Sequence, residues 1–436
     1  MGSKWIEVSL GEISEKIGDG IHGTPTYNNS GNYYFINGSN LIDNSIKITE
    51  TTKCVDHDEY LKHRKKLSNN TVLVSINGTI GNTALYNNEN IILGKSACYI
   101  NLKDNISKHF ILYVLSGYLF QEYIQRCSTG STIKNVSLKM MRDFRFLMPE
   151  SKEEQEKVVR IIQKIDELKR LNNAQNQTLV QMSQTLFKSW FVDFDPVIDN
   201  ALDAGNPVPE ALQTRAELRQ KVRNSADFKP LPAEIRSLFP SEFEETELGW
   251  VPGGWETNRL ENILELAYGK ALKKTERIEG DYPVYGSGGV DGSHNEFLVK
   301  GPGIIVGRKG TVGSLYWENK DFYPIDTVFY VKPKKYFSLV YCYQLLKTLG
   351  LENMNTDAAV PGLNRNNAYR LDVIIPTQTI IAQYTNIVQT FRYKMDSNHN
   401  EIDNLTNLCD TLLPKLISGE LSLEELPDLN TDTEAA

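Results

Sequence analysis

The residues of this chain that could carry out catalysis are few and scattered. Asp143, Glu150 and Lys152 follow the D...E-x-K order of metal-dependent nucleases. Glu150 and Lys152 flank the start of a predicted helix, however, where a carboxylate usually interacts with the helix dipole. No G-x-x-x-x-G-K-[ST] phosphate loop occurs, and the six histidines show neither H-x-x-x-H nor Cys/His ligand spacing. The sequence therefore predicts no metal site and no catalytic residues, with a nuclease as the alternative.

Polar loops that combine glycine with basic or amide side chains are the main chemical feature. Arg and Lys reach guanine through two hydrogen bonds, Asn pairs with adenine, and backbone amides and basic side chains bind phosphate. These loops predict contacts to DNA, although each one alone also fits an ordinary solvated turn. In the first part of the chain the candidate DNA-binding residues are Asp19, His22, Thr24, Asn77, Thr79, Thr129, Ser131, Thr132 and Lys134. In the second part they are Ser287, Arg308, Lys309, Thr311, Asn364 and Arg365.

Net charge taken alone argues against a nucleic-acid partner, because it is −8. The excess of acidic over basic residues lies in 151–250 and 377–436, whereas 1–150 and 251–376 are close to neutral and can hold local basic faces. Two basic runs, 62–66 and 332–335, are consistent either with phosphate binding or with solvated faces.

Length and composition favour a globular protein of several domains. A chain of 436 residues suggests two or three domains, and no apolar run approaches the roughly 18 residues that span a bilayer. The N-terminus lacks the apolar core of a signal peptide. Five cysteines without a close pair fit a reducing compartment. We therefore expect a cytoplasmic protein without a membrane partner.

An internal repeat organises the positions of the loops. Landmarks recur in the same order with similar spacing: Trp5, Leu10 and Ile13 as Trp255, Leu260 and Ile263, Gly78–Gly81 as Gly310–Gly313, Tyr99 as Tyr330, and Pro149 as Pro376. In each copy a buried strand, at 72–76 and 303–307, leads into a Gly-Thr-x-Gly turn, and a helix is predicted at 110–124 and 338–349. The sequence thus predicts a duplicated α+β domain.

A long amphipathic helix follows each copy. Ser151 and Glu154 form a capping box at the start of the first helix. We call the stripe of residues that would face a partner helix its seam. The predicted seam advances by alternate steps of three and four residues through Val158, Ile161, Ile165, Leu168, Asn172, Gln175, Leu179, Met182 and Leu186. The second seam is predicted at Ile381, Tyr384, Val388, Phe391, Met395, Asn398, Ile402, Leu405, Cys409 and Leu412. Each helix has an apolar stripe to bury, so we expect the two to pair; the alternative is that each packs on its own domain.

These patterns predict six segments along the chain. They are a globular domain at 1–150, a long helix at 151–195, a connector at 196–250 with a helix at 209–223, a second globular domain at 251–376, a second long helix at 377–420 and an acidic tail at 421–436.

Four motifs resemble those of a known family. Leu186-Phe187-Lys188-Ser189-Trp190-Phe191-Val192-Asp193-Phe194-Asp195-Pro196 and Leu412-Leu413-Pro414-Lys415-Leu416-Ile417-Ser418-Gly419-Glu420 are similar to the central and C-terminal signatures of the DNA-specificity subunit of type I restriction-modification systems. Asp19-Gly20-x-His22-x-Thr24-Pro25 and Tyr285-Gly286-Ser287-Gly288-Gly289 resemble loops of its target-recognition domains. The second copy has Tyr268-Gly269-Lys270 where the first has Asp-Gly-x-His, so equivalence at that loop is open.

The resemblance implies a fold and a set of partners. It implies α+β target-recognition domains separated by two antiparallel coiled-coil helices, each domain reading half of a split site on double-stranded DNA. It also implies a non-catalytic subunit on which two methyltransferase subunits and restriction subunits assemble. S-adenosylmethionine, ATP and Mg²⁺ would then belong to the partners, in an adenine-specific methyltransferase and ATP-dependent endonuclease. Independently of the family, a duplicated module without catalytic residues suggests bipartite binding, and a protein-only scaffold is the other alternative.

Overall fold

Two structural units divide the chain. The computed structural model describes residues 4–28, 30–128, 134–354 and 362–418. Contacts group Met1–Asn172 with His399–Ala436 in unit 1, and place Asn173–Asn398 in unit 2. Each unit therefore contains one globular copy and one half of each long helix. None of the described helices is both long and apolar enough to cross a membrane.

Unit 1 contains the first copy. Its strands are β1 Trp5–Ser9, β2 Ser14–Asp19, β3 Tyr33–Ile36, β4 Leu41–Ile42, β5 Ser45–Ile46, β6 Cys54–Val55, β7 Thr71–Ser75, β8 Thr83–Leu85, β9 Ile91–Leu93, β10 Ala97–Leu102 and β11 Arg145–Pro149. Its helices are α1 His57–His63, α2 Lys108–Ser116, α3 Tyr118–Cys127, α4 Leu138–Asp143 and the first half of α5 Lys152–Phe191, with a 3₁₀ turn at Gly38–Asn40. Its main core lies between the sheet β2-β10-β7-β8 and helices that include α2.

Unit 2 contains the second half of α5, the connector and the second copy. Its further helices are α6 Asp195–Ala204, α7 Gln213–Arg223, α8 Ala233–Arg236, α9 Leu339–Thr348, α10 Arg365–Tyr369 and the first half of α11 Gln378–Ser418. Its strands are β12 Phe243–Thr246, β13 Gly249–Pro252, β14 Glu256–Arg259, β15 Leu264–Tyr268, β16 Tyr282–Gly286, β17 Gly289–His294, β18 Gly303–Gly307, β19 Leu315–Glu318, β20 Tyr323–Pro324, β21 Val328–Pro333 and β22 Asp372–Ile375. Four 3₁₀ turns among the described residues lie at Glu210–Leu212, Leu260–Asn262, Lys274–Glu276 and Leu351–Asn353.

Sheet topology confirms the duplication. The four-stranded sheet has the order β2-β10-β7-β8 in unit 1 and β15-β21-β18-β19 in unit 2. The antiparallel pair β1-β11 corresponds to β14-β22, and the parallel pair β3-β9 corresponds to β16-β20. Tyr99 and Tyr330 occupy matching places, since each pairs with the middle residue of the neighbouring strand, Leu73 or Ile305. The predicted landmarks thus mark one scaffold used twice.

One predicted helix is wrong in its extent. The pattern at 110–124 predicted a single helix, but the structure has α2 and α3 separated at Gly117. Gly117 adopts extended backbone (φ −75°, ψ 159°) and ends α2, and its N–H donates to Val114 O. Apolar spacing alone did not reveal this break. The helix predicted at 338–349 is confirmed as α9, whose N-cap Ser338 accepts from Tyr341 N.

The seam of α11 is confirmed at every predicted position, because each of the ten side chains is buried or half-buried. By the same criterion the seam of α5 is wrong at Leu168, Gln175 and Met182, which are exposed. The residues that follow the last two, Asn176 and Ser183, are buried instead. Both are polar, so an apolar pattern selected the wrong residues.

Polar contacts explain why those positions are buried. In unit 2, Asn398 Nδ2 donates to Asn176 Oδ1 at 2.8 Å, and Tyr384 OH donates to Ser183 O at 3.3 Å. The helix halves therefore run antiparallel within this unit, as the predicted pairing requires. In unit 1, Cys409 and Leu412 of α11 pack against the core that contains Val158 and Ile162 of α5.

The connector forms part of the core of unit 2. Val197 and Phe239 of the connector are buried in one cluster with Trp190 and Phe194, which precede it, and with Trp255 of the second copy. Two helices of this segment are joined by what we call the Asp–Arg ladder: Asp195 with Arg215, Asp199 with Arg219, and Asp203 with Arg223. The residues recur every four positions on both α6 and α7, which places each set on one helix face. The segment predicted as a connector is thus held to the second copy by apolar packing and charge pairing.

Candidate nucleic-acid interface

The Gly-Thr-x-Gly turn has the same backbone structure in both copies. Gly78 and Gly310 have φ of 76° and 84°, a region that favours glycine. The last glycine of each turn donates its N–H to the strand before it, from Gly81 to Ser75 O at 2.9 Å and from Gly313 to Gly307 O at 2.8 Å. The predicted turns are therefore confirmed as equivalent structures.

In the second copy, basic side chains gather beside this turn around an aromatic ring. The guanidinium carbons of Arg308 and Arg365 each lie 4.8 Å from the centre of the Tyr268 ring. We call Tyr268, Arg308, Lys309 and Arg365 the basic cluster. Lys309 is exposed, and its backbone forms a β-bridge with Gly362. Within the part of the chain that the structure describes, none of the three cations forms an ion pair with a carboxylate.

Other predicted residues of the second copy lie beside the same turn. A methyl group at Gly310 would lie 3.1 Å from Ser287 Oγ, so the Ser287 side chain is adjacent to the turn. Thr311 is exposed at the turn itself. Asn364 Oδ1 accepts from Asn366 N at 2.9 Å and Asn367 N at 3.3 Å, so this atom caps α10. These residues remain predicted DNA contacts, and the described contacts assign Asn364 a local structural role as well.

The first copy presents different side chains around its turn. Asn77 Nδ2 donates to Asn135 Oδ1 at 3.5 Å, and Thr79 is exposed. Lys134 Nζ donates to Gln125 Oε1 at 2.5 Å, and Lys134 O accepts from Gly78 N at 3.0 Å. The predicted residues Thr129, Ser131 and Thr132 lie outside the described residues.

The Asp-Gly-x-His loop occupies the same place as Tyr268-Gly269-Lys270. Asp19 ends β2 and Tyr268 ends β15, the matching strands of the two sheets. His22 Nε2 lies 2.9 Å from Asp19 Oδ2, and both His22 and Thr24 are exposed. The equivalence left open by the sequence therefore holds for the backbone but not for the side chains. Tyr268 was missed as a site residue, and its match to Asp19 in the repeat was the signal that could have found it.

In each copy a glycine of this loop lies directly against the backbone of a neighbouring segment. A Cβ atom at Gly269 would lie 2.1 Å from Ile325 O and 2.5 Å from Pro324 O, and one at Gly20 would lie 2.0 Å from Leu93 O. Contacts this short with backbone cannot be relieved by a side-chain movement. Only glycine therefore allows each loop to lie this close to the neighbouring chain segment.

We expect Gly269→Ala to destabilise unit 2 by roughly 1–3 kcal/mol, the usual cost of overpacking. Chemical denaturation of the full chain measures the loss. Gly288→Ala is the matched control, because a Cβ there would meet nothing within 4 Å. Equal stability of the two variants would contradict the requirement for glycine at position 269.

The basic run 332–335 lies at the other end of its sheet. In unit 2, Tyr268 pairs with Phe329 at one end of β15, whereas Leu264 pairs with Pro333 at the other. Lys332 Nζ lies 3.7 Å from Glu265 Oε1, and Lys334 Nζ donates to Glu261 O at 2.7 Å, so both lie at the end remote from Tyr268. These contacts favour structural pairing over phosphate binding for the run 332–335.

Glu150 and Lys152 of the nuclease alternative have separate partners. Glu150 Oε2 lies 2.8 Å from Lys4 Nζ, and Lys152 Nζ donates to Asp104 O at 2.8 Å. Among the described residues no group of three or more His, Cys, Asp or Glu side chains is arranged to hold a metal ion. Burial also raises the pKa of the Cys342 thiol to about 12 and raises that of Cys98, so neither is a thiolate nucleophile near neutral pH.

The arrangement defines a class of protein: a paired binding module, with two copies of one scaffold that present different polar surfaces. The family model for the type I restriction modification DNA specificity domain matches residues 2–181 and 252–407. The chain belongs to this family.

Two proteins similar in sequence to this chain are named as type I restriction enzyme specificity subunits. The HindI type I restriction enzyme specificity subunit of Haemophilus influenzae is 26% identical, over 96% of this chain and 100% of that protein. The MjaIX type I restriction enzyme specificity subunit of Methanocaldococcus jannaschii is 25% identical, over 82% of this chain and 78% of that protein.

Two solved structures share the fold. The crystal structure of the type I restriction-modification S subunit from M. genitalium has a TM-score of 0.50 and 20% identity, and covers 95% of this chain and 96% of that one. A chain from a structure that describes complex assembly and conformational transition of the type I R-M system has a TM-score of 0.51 and 14% identity, with coverage of 96% and 98%.

Proposed function

We propose that this chain is the sequence-specific DNA-binding subunit of a type I restriction-modification complex and that each copy contacts one half of a bipartite target. The observation that supports it best is the pairing of one backbone scaffold with two different sets of polar side chains at its turns. A shared scaffold places both surfaces similarly against DNA, and different side chains select different bases.

The proposal includes the partners implied by the family. Double-stranded DNA, two methyltransferase subunits and restriction subunits with translocase activity assemble with this chain. S-adenosylmethionine, ATP and Mg²⁺ are bound by those partners, and the role of this chain is to bind and position rather than to catalyse. The names of its relatives, which are specificity subunits, support this division of labour.

We expect the purified chain alone to neither methylate nor cut DNA, and to direct methylation once its methyltransferase subunits are added. The assay compares the chain, the methyltransferase and their mixture on genomic DNA with S-adenosylmethionine, and maps modified bases by sequencing. The mixture should modify one sequence made of two separated parts. Methylation by the chain alone, Mg²⁺-dependent cutting by the chain alone, or methylation by the mixture without a common bipartite sequence would each contradict the proposal.

A further inference from the structure

Four positions can be matched between the two copies by their backbone contacts. Ile76 N donates to Ser96 O and Arg308 N donates to Thr327 O, while their carbonyls accept from Val136 N and Leu363 N. The next residues, Asn77 and Lys309, each form an isolated β-bridge to the segment before the following short helix. Leu138 and Arg365 are the first residues of the short helices α4 and α10, and Asp19 and Tyr268 end matching strands.

The side chains at these positions differ in kind. The second copy has one phenol and three cations, Tyr268, Arg308, Lys309 and Arg365, where the first has Asp19, Ile76, Asn77 and Leu138. Phosphates are identical along any DNA, so contacts to them give no reason for two copies of one scaffold to diverge. Contacts to base edges do give such a reason. The presence of Arg308 and Arg365 where the first copy has the apolar residues Ile76 and Leu138 therefore favours base contact by these two arginines in the second copy.

The geometry of the second copy restricts the orientation of its two arginines. Both guanidiniums lie over the Tyr268 ring, and Arg308 Nη1 also donates to Asp326 O at 2.9 Å. Arg365 lies 5.6 Å from the Tyr369 ring as well, and its Nε is buried without a hydrogen-bond partner. An aromatic face attracts a guanidinium and can fix its plane. A fixed plane favours a bidentate contact, and the major-groove edge of guanine accepts such a contact from arginine.

We infer that Arg308 and Arg365 read guanine in the second half-site, through the O6 and N7 atoms in the major groove, and that Tyr268 positions both side chains for this contact. The inference rests on the proposed function and assigns a base to part of that surface. Guanine is the base that offers two acceptors side by side in the major groove, and the two N–H donors at the edge of an arginine match them. Lys309, which is exposed and unpaired with any described carboxylate, supplies a phosphate contact beside them.

The test uses the full chain assembled with its methyltransferase subunits and the target found by methylation mapping. The second half-site should contain guanine on one strand or the other. Arg308→Ala and Arg365→Ala should each lower discrimination at one G·C pair of that half-site by about 10- to 100-fold, and leave the first half-site unchanged. Lys332→Ala is the matched control, because it removes one charge from the same unit at the remote end of the sheet and should leave base preference unchanged.

Base analogues identify the atoms that are read. Replacing the guanine by 7-deazaguanine removes N7 and should weaken binding of the unmodified protein about tenfold, with little further loss in the corresponding arginine variant. Inosine keeps O6 and N7 and should bind almost as guanine does. Tyr268→Leu should reduce discrimination at both G·C pairs, and Tyr268→Phe, which keeps the ring, should restore it.

The outcomes separate this inference from the proposed function. If the arginine variants weaken binding to all duplexes equally and lower its salt dependence, the two residues contact phosphate and the inference fails while the proposed function stands. A second half-site without guanine, or equal effects of 7-deazaguanine on the original protein and both variants, also overturns it. If the assembled complex selects no sequence at all, the proposed function itself fails.

Discussion

Replacing residues 1–150 with the corresponding domain of another family member is expected to change one half of the DNA target completely and to leave the other half unchanged. The main cores of the two copies consist of separate sets of residues, one in each unit. Each mismatched base pair costs about 1–3 kcal/mol, and the costs add for separated positions. If three base pairs of that half-site differ, the exchanged protein should bind the original half-site roughly a thousand-fold more weakly.

The measurement is methylation mapping with the assembled complex, and the reciprocal exchange of residues 251–376 is its control. The exchange ends before α5, so the donor domain must pack on Val158, Val159 and Ile162, which belong to the core of unit 1. Donors with apolar residues at the matching surface should fold. A target in which both halves change after a single exchange would contradict independent recognition.

Asp195→Ala is expected to destabilise unit 2 by about 3–5 kcal/mol, the usual loss when one member of a buried ion pair is removed. The Asp195 side chain is only 5% exposed, and its two oxygens each accept from Arg215 at 2.7 Å. Ser189 Oγ also donates to it at 2.8 Å. Without the carboxylate, these donors lose their acceptor beside the core. Denaturant unfolding of the full chain, followed by tryptophan fluorescence, measures the loss.

Two controls separate charge from packing. Asp203 belongs to the same ladder but its side chain is 46% exposed, so Asp203→Ala should cost much less. The double replacement Asp195→Leu with Arg215→Met removes both charges and should cost less than Asp195→Ala alone, because the Arg215 guanidinium no longer remains beside the core without its Asp195 partner. If Asp195→Ala proves no more harmful than Asp203→Ala, the ladder does not hold α7 in place.

Much of the fold followed from local sequence patterns. The repeat landmarks identified matching strands, and the seam of α11 was correct because its buried positions, such as Ile381, Val388 and Met395, are largely apolar. The seam of α5 was misplaced because Asn176 and Ser183 are buried in contact with α11, and contacts between distant segments are not visible in an apolar period. The break at Gly117 was missed for a similar reason, since a single glycine does not disturb the spacing of the surrounding apolar residues.

The candidate site was recovered in part. Arg308, Lys309, Ser287 and Thr311 were selected by residue type, and the structure places them around one turn. The match of Tyr268 to Asp19 in the repeat could have marked it as a site residue, but its contact with both arginines could not be predicted, because these are distant in sequence and meet over one ring only in the fold. For the run 332–335, residue type left phosphate binding and a solvated face both open, and the structure places Lys332 and Lys334 at the remote end of the sheet.

The backbone hydrogen bonds at the matched positions affect how the protein can evolve. The N–H and C=O groups of residues 76 and 308 hold the turn in place, and every residue except proline supplies both groups. Ile76 belongs to the core of unit 1, whereas the Arg308 side chain is half-buried and lies over the Tyr268 ring. A mutation at Arg308 can therefore alter the polar surface of the second copy without removing the bonds that maintain the scaffold. New specificities can then arise in a lineage one codon at a time at such a position, while the backbone of the turn is inherited unchanged.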